Sequence, residues 1–455
     1  MQIKTGKGPV SLMMVIAIWS LSLAVDLPGL AVTPIEGKLH GIFHDVTDFK
    51  IQLLTVLPNV VIIPFVLLSG KLSETRHKIP VIVTGIILYA LSGILSIFSG
   101  SLTVLIWLSC LLGAGCGLIL PFSTGLIADV FVGRYRMKQM GIVSAIGNIA
   151  LVGATFVVGF LAAKSWHLPF IVYIIPLISL LLIPWLRKIP KAHLTGLSDE
   201  SYLQQTTGAK TVTPGTSSSV ASAAPASSTP SSPSGQAALP AFDADGFSLA
   251  GQKLKGGFYI GRTVWLMLAY GFYEFACTVP TYYLPNLMPQ YGMSTEEVSM
   301  VTSMFYFAMF IIGIMVTSVM KLFKKSTFIV STAVIIAGYV IYIFSKDLVL
   351  FFVAAGLLGL GNGQTQPIFY NKATEIVNTP AKSTLALAFL QAANYVGISV
   401  VPVIIGMFEA IFHQHGNVFP FIVGCVLTSL VFIVVIVRYR HFVFGIHPAY
   451  YENQS

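Results

Sequence analysis

Residues 113–129 read GAGCGLILPFSTGLIAD, and residues 359–375 read GLGNGQTQPIFYNKATE. Gly113, Gly115, Gly117, Pro121 and Asp129 in the first stretch fall at the same offsets as Gly359, Gly361, Gly363, Pro367 and Glu375 in the second. The shift is 246 residues, and Asn148 and Asn394 stand the same 246 apart. PFIV at 169–172 returns at 420–423, displaced slightly further by an insertion. A glycine-rich composition does not by itself bring two acids into register. The chain reads as an internal duplication.

Each copy sits in an apolar setting. The chain is 55% hydrophobic and 9% charged, whereas soluble domains run at about 25% charged. A globular core has no use for so much apolar surface, but lipid covers it. Runs of about 20 residues, long enough to span a bilayer as helix, occur near 10–32, 52–70, 80–99, 102–130, 139–163 and 168–186. A second set follows near 260–288, 297–320, 327–345, 348–377, 383–412 and 417–437. Between the sets, residues 206–240 are dominated by serine, threonine, alanine and proline. Such a stretch cannot bury enough apolar area to offset its ordering entropy.

The expected fold is therefore all-α and polytopic, with about twelve transmembrane helices in two pseudo-symmetric six-helix bundles. The first bundle takes residues 1–189 and the second 259–440. A flexible cytoplasmic linker at 190–258 joins them, and 441–455 form a cytoplasmic tail. Parallel repeats with a site between them are a transporter design.

The formal charge is +9, and its placement is topological. With the N-terminus inside, 22 of the 26 lysines and arginines fall on cytoplasmic segments; Lys38, Lys50, Lys164 and Lys346 do not. That asymmetry is the positive-inside rule, and it removes the need for a nucleic-acid partner. The first run follows Lys4 and Lys7, carries Asp26 and has no convincing cleavage site, so it reads as a retained helix. Cys110, Cys116, Cys277 and Cys425 all lie in apolar runs and read as packing residues.

After the second run the chain reads GKLSETRHK at 70–78. Gly70, the acid Glu74 and the terminal base Lys78 match a Gly-x-x-x-Asp-Arg-x-Gly-Arg type motif, while Thr75 and His77 depart from it. With the duplicated bundles, this loop makes the chain resemble the major facilitator superfamily over nearly all of its length except the linker. The resemblance implies an alternating-access carrier with a cytoplasmic gate at Gly70, Glu74, Arg76, Lys78, Asp129, Arg136, Glu375 and Lys382. Proton-driven drug exporters of that family carry an arginine four residues before the first glycine of the fourth-helix run, where Ser109 stands here. Their Gly-Pro pair in the fifth helix has no counterpart in residues 154–159.

Charges deep inside the spans are few. Asp26 and Glu274 are 248 residues apart, nearly the repeat shift, and so hold similar places in the two halves. A charge at the bilayer centre costs about 2.5–3.5 kcal/mol on insertion scales, so both acids should face a cavity or stay protonated. A carboxyl that is wet in one conformation and buried in another binds and releases a proton as the carrier alternates. The two are the expected proton-coupling residues.

Amides extend the cavity. Asn362, Gln366 and Tyr370 recur at a spacing of four on one helix face. Asn148 follows Ser144 by four, and Gln391 and Asn394 share the eleventh run. An amide facing lipid strands its donors, so Asn148, Asn362, Gln366, Tyr370, Gln391 and Asn394 are expected inside. Tyr270 and Tyr273 join them in an aromatic cluster with Phe305 and Tyr306, which suits an amphipathic or aromatic solute. His40 and His44 share a spacing that suits a metal, but a short solvated outer loop is the better reading of them. Asn453-Gln454-Ser455 fits a glycosylation sequon on the cytoplasmic end, where it is silent.

No Walker-type phosphate loop is present, nor a zinc-peptidase or nucleophile-elbow pattern. The expected function is a non-enzymatic secondary active transporter with no cofactor. It works as a monomer in the plasma membrane with both termini cytoplasmic, and exports a small organic solute against protons. Proton-coupled uptake by symport is the alternative, followed by a non-transporting sensor or an intramembrane enzyme.

Overall fold

The computed structural model describes residues 2–6, 8–24, 27–28, 31–32, 48–74, 78–188, 253–379, 382–414 and 416–446. Asp26, Arg76, the outer-loop histidines, residues 190–252 and the sequon lie outside the described residues. In the first half, α1 is Leu12–Ser20 with a 3-10 extension Leu21–Ala24, α2 is Asp48–Leu72 and α3 is Lys78–Ile97. Helix α4 is Leu102–Val130 and α5 is Gly133–Lys164. Helix α6 is a 3-10 run, Leu168–Leu177, followed by α turns at Ile178–Leu181 and Ile183–Leu186.

The second half repeats the order. Helix α7 is Ile260–Leu287, α8 Thr295–Phe323, α9 Thr327–Phe344 and α10 Leu348–Ala373. Helix α11 runs Ser383–Ser399 and continues as Val401–Phe412; α12 is Phe419–Arg438.

Three spans differ from their expected form. The sixth is not a regular α-helix, because Pro169, Pro176 and Pro184 each lack the N–H that an α ladder needs. The eleventh breaks at Val400, two residues before Pro402, for the same reason. The fifth begins at Gly133 rather than 139, since Arg134, Arg136 and Lys138 extend it past the apolar run. Among the described residues, eight helical stretches are long and apolar enough to cross a membrane, one of them covering both α8 and α9. Helix α7 is not among them. It carries Arg262, Glu274 and four tyrosines, and at 28 residues its length suffices where its hydropathy does not.

The duplicated glycines explain the duplicated packing. Helix α4 packs on α2 and α3, and α10 packs on α8 and α9. A Cβ at Gly113 would sit 2.5 Å from Pro58 O of α2, and one at Gly359 would strike Phe305 O of α8. At Gly115 it would meet Tyr89 N of α3 at 2.6 Å; at Gly361 it would strike Ile335 of α9. Small residues let backbones approach where lipid offers no hydrophobic drive. The two halves meet along α2 with α11 and α5 with α8, where Gly70 faces Ala388 and Gly141 faces Gly313.

Each half also opens with a β-hairpin, which the sequence patterns had not indicated. Strands β1 (Gln2–Lys4) and β2 (Pro9–Ser11) pair antiparallel, as do β3 (Leu254–Lys255) and β4 (Phe258–Tyr259). The first holds the α4–α5 junction through Val132 N donating to Thr5 O at 3.1 Å. The second holds the end of α10 through Tyr259 N to Ile376 O at 2.9 Å and Asn378 N to Gly257 O at 3.0 Å. Residues 253–258, read as the end of the linker, are thus packed on the second half. Residues 442–446, read as tail, also pack there, with Phe442, Phe444 and Ile446 buried.

Candidate functional site

A cavity of about 310 Å³ lies between the halves, lined by α2, α5, α7, α8, α10 and α11. Its floor is polar: Asn148, Glu274, Asn362, Gln366 and Asn394 all line it, each less than 10% exposed. Its upper wall carries Thr55, Asn59, Thr278, Thr281, Tyr282, Phe305, Tyr306 and Met309. The exposed Pro285 and Pro289, at and beyond the end of α7, mark its mouth. Among the described residues, Glu274 is the one acid on the lining, and no lysine, arginine or histidine joins it.

Asn394 Oδ1 is buried without a hydrogen-bond partner. A buried amide oxygen in that state costs about 1–3 kcal/mol, which a donor on a bound molecule would relieve. The floor is also cross-linked. Ser144 Oγ of α5 donates to Gln366 Oε1 of α10, and Asn148 Nδ2 donates to Ser144 O at 2.9 Å. Gln366 Nε2 donates to Tyr370 OH at 3.3 Å, and Tyr270 OH lies 3.3 Å from the same hydroxyl.

Tyr270, Tyr273, Tyr370 and Gln391 do not line this cavity. Tyr270 and Tyr273 stack against Phe369, with ring centroids 5.3 and 5.6 Å away, in an aromatic layer that continues through Phe328 to Phe444. Tyr273 OH bonds Thr332 Oγ1. Gln391 Nε2 reaches across to Leu120 O of α4 at 3.3 Å. These four sit behind or below the floor, in the packing that closes the opposite face.

That face is the basic one. Lys78 Nζ meets Asp129 Oδ2 at 2.7 Å within the first half. Arg136 at the start of α5 crosses to the second half. Its Nε donates to Asn371 Oδ1 at 3.0 Å, and its Nη2 lies 3.8 Å from Glu375 Oε1. Asn371 Nδ2 donates to that same carboxylate oxygen at 3.0 Å. Lys382 Nζ instead donates to Gly256 O of the second hairpin. Gly70 sits at the contact with α11, while Glu74 is exposed. Lys372, fully buried, donates to Phe442 O and to Gly445 O at 2.7 Å, so residues 442–445 are tied to the same end of α10.

Several lining residues escaped the sequence reading. Thr278, Thr281 and Tyr282 follow Glu274 at spacings of four, seven and eight, the period of one helix face, so the acid itself pointed to them. Thr55 and Asn59 carry the same spacing of four in α2. Asn371 had no such signal, because its partner Arg136 is 235 residues away.

The Major Facilitator Superfamily model matches residues 10–244 and 266–443. The quinolone resistance protein NorA of Staphylococcus aureus (strain MRSA252) is 32% identical over 114 residues, which is 25% of this chain and 29% of that protein. The multidrug transporter protein MdtP of Bacillus subtilis (strain 168) is 30% identical over 139 residues, 30% of this chain and 25% of that one. The alignments thus span less than a third of either relative. In three dimensions the chain is similar to the proton:xylose symporter XylE bound to 6-bromo-6-deoxy-D-glucose, with a TM-score of 0.68 at 14% identity, covering 94% and 96% of the two chains. FucP in the outward conformation matches with a TM-score of 0.60 at 14% identity, covering 94% and 97%.

Proposed function

The chain belongs to the Major Facilitator Superfamily, and on that premise we propose that this multi-pass membrane carrier exports a small amphipathic organic solute, neutral or singly cationic, in exchange for protons. The observation that carries the reading is one carboxylate, Glu274, set among amides and aromatics in a central cavity with no basic residue on its described lining. The basic face is cytoplasmic, by the excess of lysine and arginine there. The cavity mouth at Pro285 and Pro289 then opens outward, and Arg136 with Glu375 and Asn371 closes the inside. Glu274 and Asp26 carry the coupling. The charged carboxylate holds a cationic or donor-bearing solute, and a proton entering from outside neutralises it and releases the solute. The reset carrier delivers the proton inward.

Efflux is the favoured direction because the sequence relatives are named for drug resistance and multidrug transport. The test is accumulation of a fluorescent amphipathic monocation in inverted vesicles with an acidified lumen. Parent protein should concentrate the probe. Glu274→Gln and Asp26→Asn should each lose the pH-dependent part by about tenfold or more, since removing a required charge forfeits at least one unit of differential interaction. Variants that transport and respond to pH as the parent does would remove the coupling role. Probe leaving vesicles down the proton gradient would reverse the direction.

A further inference from the structure

Gln366 stands at two boundaries at once. Its side chain lines the cavity, and its Oε1 accepts the Ser144 Oγ proton from the other half. Ser144 and Gln366 are 7% and 8% exposed, so little water is at hand to replace that bond when it opens. Its Nε2 is engaged by Tyr370, on the next turn of α10. Asn371, the next residue, and Glu375, just past the helix end, hold Arg136. Gln366 and Glu375 are nine residues apart on or just past α10, about 13 Å of helical rise. One helix therefore joins an amide that faces the solute to the groups that close the basic face.

We propose that Gln366 is a positioning residue that couples cavity occupancy to release of the basic face. In the empty carrier, the Ser144–Gln366 bond bolts α5 to α10 beneath the cavity. An N–H or O–H group on the solute competes for the same carbonyl oxygen and draws the amide into the cavity and away from Ser144. Solute taken up through the open basic face therefore keeps the bolt apart, and its release outward lets the bolt re-form. The carrier thus holds solute more tightly inside than outside, as export requires. A ligand shifts such an equilibrium only by its differential affinity for the two states, and this oxygen supplies it: free for the solute when the bolt is open, shared when it is closed. The donor part of the proposal rests on the reading of the cavity as the solute site; the bolt does not.

The test uses the full chain in proteoliposomes with Thr384→Cys as reporter and Cys110, Cys277 and Cys425 changed to serine. Thr384 is buried against Gly125 where α11 meets α4, so opening of the basic face should expose it. Native Cys116, fully buried within the first half, reports general loosening. Ser144→Ala should raise the N-ethylmaleimide rate at Thr384→Cys about two- to tenfold, the worth of one net hydrogen bond, with Cys116 unchanged. Ser144→Thr keeps the hydroxyl and should stay at the parent rate. An unchanged rate in Ser144→Ala overturns the proposal, as does a rise matched at Cys116.

Two dyes that differ only in a primary ammonium against a trimethylammonium head then test the donor. The ammonium dye should raise the parent rate and add nothing in Ser144→Ala. An equal effect of the trimethylammonium dye overturns the donor's part. If neither dye acts while Ser144→Ala still does, the cavity's reading as an organic-cation site falls and the bolt stands.

Discussion

The two halves end their fourth helices with the same kind of acid and use it differently. Asp129 is held at 2.7 Å by Lys78, inside its own bundle. Glu375, at the equivalent place, reaches across to Arg136 and shares Asn371 with it. The second half has a lysine at the repeat position of Lys78, but Lys324 is exposed, with its backbone turned to φ 48° at the α8–α9 junction. A pair inside one rigid bundle persists while the bundles rock; a pair between bundles breaks in every cycle. On the proposed alternating cycle, that contrast would make the Glu375 contact the conformational one.

The largest test of that difference is Arg136→Ala. It removes the cation that Asn371 and Glu375 share across the halves, and breaking a buried pair from one side costs about 3–5 kcal/mol. Closure of the basic face should weaken more than about a hundredfold by that cost, read as faster modification of Thr384→Cys and a collapse of gradient-driven flux. An intact closed state in Arg136→Ala would erase the distinction between the halves.

Next come Gly115→Ala and Gly361→Ala, which ask whether the halves are equal where their packing repeats. Each added Cβ meets a neighbouring helix closer than van der Waals contact allows, and overpacking costs about 1–3 kcal/mol. Both variants should lower the thermal midpoint in detergent by similar amounts. A tolerated change in one half would show that the repeat is looser there.

The smallest effect is expected from Lys78→Met. The Lys78 side chain is 17% exposed, so screening trims its contribution to about 1 kcal/mol. Stability should drop slightly, and flux should stay within about fivefold of the parent by that energy. A loss as large as that of Arg136→Ala would place Lys78 in the moving gate.

Much of the cavity lining was legible because its residues are costly in lipid. Asn148, Glu274, Asn362, Gln366 and Asn394 were marked by polarity inside apolar runs, and all five line the cavity. Tyr270, Tyr273 and Tyr370 carried the same mark and went elsewhere, into an aromatic layer below the floor. A tyrosine satisfies its hydroxyl with one bond and buries its ring anywhere, so its polarity says less about depth than an amide's does. The hairpins escaped notice because strands of two or three residues have no readable period.

From the chain alone came the approximate number of the helices and their duplication. Each follows from a local rule: backbone groups in lipid must be paired within the helix, and glycines must stand where helices cross. Tertiary structure decided the partners. Which acid pairs within its half and which reaches across, and which amide lines the cavity rather than meeting a neighbouring helix, depends on contacts between residues some 220 to 270 positions apart. No local pattern encodes those distances, because they are set by how two separately formed bundles lean on one another.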